Sequence, residues 1–146
     1  MNKKLSIYQA YCVMIDYLDK YYFKVYADDI GDLLGGLVFL EDGSTADGAA
    51  WEDWIEAIDK VKPSHDVHNN KDILLTVDEA YIVATNFLEN FAQLTNSEDT
   101  RKLLDEKMLL RDGNPVDREN WDEWMRSVDK ILAQNPLILP PFTLLN

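Results

Sequence analysis

The sequence predicts an all-α protein: two tandem three-helix repeats packed as one pseudo-twofold helical bundle. Three observations carry that reading. Nearly half of the 146 residues are apolar, apolar side chains recur with a helical period, and the chain matches itself at an offset of seventy without a gap. At that offset Leu5 meets Leu75, Ala10-Tyr11 meets Ala80-Tyr81, and Leu18 meets Leu88. Asp29 meets Asp99, Leu33-Leu34 meets Leu103-Leu104, and Asp42-Gly43 meets Asp112-Gly113. Trp51 and Trp54 meet Trp121 and Trp124. Two tryptophan pairs in one register point to a duplication.

The first helix of each copy opens on a capping box, Ser6 with Gln9 and Thr76 with Glu79. Such a box satisfies two backbone N–H groups at a helix start and stabilises it by about 1 kcal/mol. Ile7, Ala10, Tyr11, Met14, Leu18, Tyr21 and Val25 then form one apolar stripe, repeated by Val77, Ala80, Tyr81, Ala84, Leu88 and Phe91. That spacing is the 3.6-residue period of a helix with one buried face.

The second helix starts near Asp28 or Ser97 and carries Leu33-Leu34 or Leu103-Leu104 inward. Gly35-Gly36 in the first copy replaces Asp105-Glu106 in the second. Each helical glycine costs roughly 1 kcal/mol against alanine. A short or bent helix is expected there, or a close approach by another segment.

An Asp-Gly pair turns the chain, since glycine adopts positive φ freely. Asp47 and Asp117 are then expected as N-caps of a third helix. Trp51, Trp54, Ile55 and Ile58 share one face of it, as do Trp121, Trp124, Met125 and Val128. The expected core is Tyr11, Leu18, Leu34, Trp51, Trp54, Tyr81, Leu88, Leu104, Trp121 and Trp124.

These elements organise the chain as a first repeat over 1–61, a linker over 62–74 and a second repeat over 75–132. An apolar, proline-rich tail over 133–146 is expected to pack on the bundle. A single copy of under about sixty residues is too small for a stable core of its own. Two copies are too few for an open solenoid. The copies are therefore expected to pack on each other, as a dimer fused into one chain.

The net charge of −13 disfavours two partner classes, nucleic acids and anionic membranes. The longest apolar run, Leu33 to Leu40, is too short to span a bilayer. The basic start and the apolar residues after it do not read as a signal peptide, because the same pattern recurs from Leu75. Cys12 is the only cysteine, which excludes an internal disulfide and suits a cytoplasmic protein. Set between Tyr11 and Val13, it reads as a small buried hydrophobe.

The motifs offer no catalytic, metal or cofactor residues. An EF-hand loop needs an oxygen ligand at position 5 and glycine at position 6. Counted from Asp42 those places hold Ala46 and Asp47; counted from Asp112 they hold Val116 and Asp117. His65 and His68 flank Asp66 within the linker, a weak metal set that reads better as solvated linker. Gly31 to Gly36 lacks the lysine of a phosphate-binding loop. The protein is expected not to be an enzyme.

Charge is the remaining signal. From Leu5 to Val61 twelve acidic residues face three basic ones; from Leu75 to Leu132 thirteen face seven. The difference comes from lost cations: Gly31, Asp32 and Glu41 stand where Arg101, Lys102 and Arg111 stand. Asp28, Asp29, Asp32, Glu41, Asp42, Glu52, Asp53 and Glu56 are therefore the candidate partner-binding face.

The Ala10-Tyr11 helix, the run Asp28-Asp29-Ile30-Gly31-Asp32-Leu33-Leu34, the Asp42-Gly43 turn and Trp51-x-x-Trp54 resemble short acidic all-helical bacterial proteins of the toxin-immunity type. The resemblance implies a protein-binding module, an immunity protein or antitoxin that neutralises a basic toxin, acting as a monomer or weak dimer. Two other classes fit the sequence less well. One is a self-associating adaptor that uses the apolar tail, and the other is a small metal-dependent hydrolase.

Overall fold

The computed structural model describes residues 3–63 and 73–134. Residues 64–72 of the expected linker, with His65 and His68, lie outside the described residues, as do tail residues 135–146. In chain order the elements are β1 (Lys4–Ser6), α1 (Ile7–Val25), α2 (Asp28–Leu37), α3 (Ala50–Val61) and β2 (Leu74–Thr76). Then come α4 (Val77–Thr95), α5 (Glu98–Glu106), β3 (Leu110–Arg111), β4 (Asn114–Pro115) and α6 (Arg118–Gln134). The protein is mostly helical, as its apolar periodicity requires. Two short antiparallel strand pairs, β1 with β2 and β3 with β4, add to the all-α expectation. Strands of two or three residues are too short to leave a period of two in the sequence.

Both capping boxes form. Ser6 Oγ accepts from Gln9 N at 3.0 Å and Gln9 Oε1 accepts from Ser6 N at 2.8 Å. Thr76 and Glu79 make the same two bonds at the same lengths. α1 and α4 each end on a left-handed residue, Tyr26 at φ 52° and Asn96 at φ 53°. Asparagine tolerates that conformation better than tyrosine does.

The two halves meet through equivalent residues. In the β1–β2 pair Leu5 lies opposite Leu75, with Lys4 opposite Thr76 and Ser6 opposite Leu74. Both leucines are fully buried. On another side of the contact Asp29 N donates to Asp99 Oδ2 at 3.0 Å, while Asp99 N donates to Asp29 Oδ2 at 3.4 Å. The helices cross between halves as well: α1 packs on α6, and α3 packs on α4. Trp124 thus meets Tyr17 edge-on at 5.7 Å, and Trp54 meets Phe87 at 6.0 Å. Trp54 is fully buried and its indole N–H donates to the Ile7 carbonyl at 3.0 Å. Lys130 and Lys20 both pair with Asp16, which joins α1 to α6.

Several expected core positions shift. Tyr11, Leu18, Trp54, Tyr81, Leu88, Leu104 and Trp124 are buried. Trp51 and Trp121 are only half-buried, because each stands on the first turn of its stripe, at the edge of the core. Trp51 instead stacks on Tyr8 with ring centres 4.8 Å apart. Leu34 is half-buried too; Ile30, Leu33 and Leu37 carry the buried face of α2. α2 is no shorter than its counterpart despite Gly35-Gly36. The close approach expected there is real at Gly36: its carbonyl accepts from Asp47 N at 2.9 Å, and a Cβ on it would lie 3.1 Å from Asp47 Cβ. Gly35 meets nothing.

Asp117 caps α6 as expected, accepting from Asn120 N at 2.9 Å. Asp47 does not cap α3, which starts only at Ala50. Held against Gly36, its carboxylate accepts from Ala49 N instead. The Asp-Gly turns also differ. Asp112 (φ 54°) and Gly113 (φ 78°) make a two-residue hairpin loop between Arg111 and Asn114. Positive φ at both positions is the turn that matches strand twist. In the first half only Gly43 is left-handed, and the bridge joins Phe39 to Thr45 across a longer loop.

Candidate protein-binding face

Two concavities flank α2. A groove of about 310 Å³ runs between α2, α3 and α4. Leu33, Leu37, Phe87, Phe91 and Leu94 make its apolar surface, and Asp32, Asp47 and Asp53 its carboxylate rim. Leu94 is 71% exposed. On the other side of α2 lies an open cleft of about 570 Å³ lined by Asp19, Tyr22, Phe23, Asp28, Gly31, Asp32 and Leu34. Asp32 belongs to both, so α2 forms an acidic ridge between them. Among the described residues no lysine or arginine lines either one.

The groove has a counterpart seventy residues away, and its chemistry differs. There Tyr21, Lys24, Lys107, Asp117, Asn120 and Glu123 stand where the groove has Phe91, Leu94, Leu37, Asp47, Ala50 and Asp53. Arg126 also lines it, at the position of Glu56. Glu123 pairs with Lys24 at 3.7 Å and with Arg126. At the corresponding place in the first half Asp53 has Leu94 and Glu56 for neighbours in sequence position. Among the described residues Asp28, Asp32, Asp53 and Glu56 form no ion pair.

The electrostatic consequence falls on Asp53. Partial burial raises its pKa, and the neighbouring Glu56, Asp47 and Glu52 carboxylates push it further up. Folding therefore disfavours its charged form. That penalty is absent at pH below the ordinary aspartate value of 3.8 and develops as pH rises through the raised value. Asp53→Asn is expected to stabilise the protein slightly at neutral pH, with the gain vanishing below about pH 4. Thermal melts of both proteins across that range check it.

The eight residues expected to form the partner face divide. Asp28, Asp32 and Asp53 line the concavities, and Glu52 and Glu56 flank Asp53 on α3. Asp29 does not belong with them: its carboxylate accepts from Ser97 Oγ at 2.9 Å and from Asp99 N, holding α2 to α5. Glu41 and Asp42 sit in the turn beyond α2 and line neither concavity. Asp42 accepts from Ser44 N and Oγ, and these bonds lower its pKa. Asp19 and Asp47, which the sequence did not place on that face, also line the concavities. The signal for Asp47 was the adjacent Gly36, which admits it; the signal for Asp19 was the loss of Arg101 at position 31.

Burial pushes the Cys12 thiol up to about 12, so it is held protonated and unreactive. Among the described residues no group of three His, Cys, Asp or Glu side chains is arranged to hold a metal ion, and no helix is long and apolar enough to cross a membrane. No protein-family model, curated protein or solved structure matches the chain.

Proposed function

We propose that the chain is a duplicated three-helix unit folded as a fused dimer, and that its first half serves as a protein-binding module of the immunity-protein or antitoxin kind. Its partner is a basic protein, held and blocked by the acidic ridge of α2 and the adjoining face of α3. One observation carries the reading: Glu123 is paired by Lys24 and Arg126 and Glu89 by Arg101, whereas their counterparts seventy residues earlier, Asp53 and Asp19, form no ion pair among the described residues. A face needing only solubility has no reason to shed its cations on one side. The apolar surface beside the carboxylates adds area that a partner can bury.

The duplication is supported by the matching bounds of β1 with β2 and of α1 with α4, the Leu5–Leu75 pairing and the reciprocal Asp29–Asp99 bonds. Opposite charges on the two proteins would steer encounter, raising the association rate by about 10-fold or more at low salt. The test is co-expression with the product of the adjacent gene, followed by stopped-flow binding across a salt series. A one-to-one complex that forms more slowly as salt rises supports the reading. An acidic partner, or a rate indifferent to salt, overturns it.

A further inference from the structure

We propose that the cleft over Gly31, bounded by Asp19, Asp28, Asp32, Tyr22 and Phe23, receives one arginine side chain of the protein partner. The inference rests on the partner-binding reading and names the group that anchors it. Its main support is the counterpart within the same chain. On α4, Glu89 holds the guanidinium of Arg101 with two bonds, at 3.0 and 2.7 Å. Asp19 and Gly31 occupy the positions seventy residues earlier. The first half thus keeps the carboxylate on its first helix and lacks the arginine on its second.

The space over that glycine is furnished differently from its counterpart. The Tyr22 ring lies against Gly31, where an added Cβ would fall 2.7 Å from Tyr22 Cε1. Tyr22 and Phe23 meet edge-on at 5.6 Å, and Phe23 is 61% exposed. The matching residues in the second half are Ala92 and Gln93, so the rings belong to the first half alone. Aromatic surface beside carboxylates suits a planar, weakly hydrated cation that stacks and donates in pairs, which is arginine rather than lysine. Among the described residues Asp19, Asp28 and Asp32 form no ion pair, and the nearest described influence of a cation is the longer-range attraction between Asp19 and Lys130, whose ammonium is bonded to Asp16.

The test uses acetyl-arginine amide as the probe, followed by NMR on the full chain. Saturable shifts of the Gly31 amide and of the Tyr22 and Phe23 ring protons are expected, at least about threefold stronger in affinity than for acetyl-lysine amide. Gly31→Arg supplies a guanidinium in cis and should abolish the response. Because that side chain displaces the Tyr22 ring, Asp19→Asn is the second variant; its packing is unchanged and its affinity should fall severalfold. Shifts elsewhere, equal binding of the lysine probe, or wild-type responses in both variants would overturn the proposal. Tighter binding of free arginine than of the capped form would also overturn it, assigning the cleft to the amino acid. Partner binding that survives Gly31→Arg but is lost on reversing Asp53 and Glu56 rejects the arginine cleft and keeps the partner-binding face.

Discussion

Divided between residues 63 and 73, the two halves are expected to be largely unfolded alone and to recover the helical fold when mixed. The reason is where the contacts lie. Each tryptophan-bearing helix packs on the first helix of the other half, α3 on α4 and α6 on α1. Separation exposes the Trp54–Phe87 and Tyr17–Trp124 faces and unpairs Leu5 from Leu75. A chain of about sixty residues buries only about 60% of its unfolded surface even when its core is complete. Circular dichroism of each half and of the mixture measures the effect. A half that folds only as its own dimer reports the same dependence. A folded monomeric half would show that the crossing helices are not needed.

Trp54→Ala is expected to lower unfolding stability by about 3–5 kcal/mol, the usual cost of emptying a buried indole site. The side chain is fully buried, touches Tyr11 and Phe87, and donates to the Ile7 carbonyl. Removing it leaves that carbonyl without its partner as well. Trp51→Ala should cost less, roughly 1–3 kcal/mol, because its ring is only partly buried and, although it packs on Tyr8, Tyr11 and Phe39, it stands at the edge of the core. Urea denaturation of the two variants separates them. Equal losses would mean that the two indoles share the core equally. Since small domains have only about 5–15 kcal/mol to lose, Trp54→Ala removes a large share of the total.

The contrast between those two tryptophans shows what a period can and cannot say. The i, i+3, i+4 spacing places Trp51 and Trp54 on one face, and so they are. It does not say how far along the helix the core extends, and the first turn of α3 falls at its edge. Leu33 and Leu34 pose the same problem in α2, where one residue of rotation decides which is covered. Gly36 was legible as an anomaly, but its cause, the Asp47 segment crossing at 3.1 Å, lies eleven residues away in sequence. The acidic face was legible as a loss of cations. That Asp29 would be spent joining α2 to α5 was not, because its partner stands seventy residues along the chain.

The sequence by itself determined what depends on neighbours along the chain. The starts of α1 and α4 follow from capping boxes that close within three residues, and the buried stripes follow from the 3.6-residue period. Only the tertiary structure decided which first helix each tryptophan helix would meet. Both halves offer nearly the same apolar stripe, so burial energy alone hardly distinguishes a partner within the half from one across it. The choice goes with the β1–β2 pairing, which sets the two first helices side by side. That geometry also sets Asp19, Asp32 and Asp53 around the concavities on either side of α2.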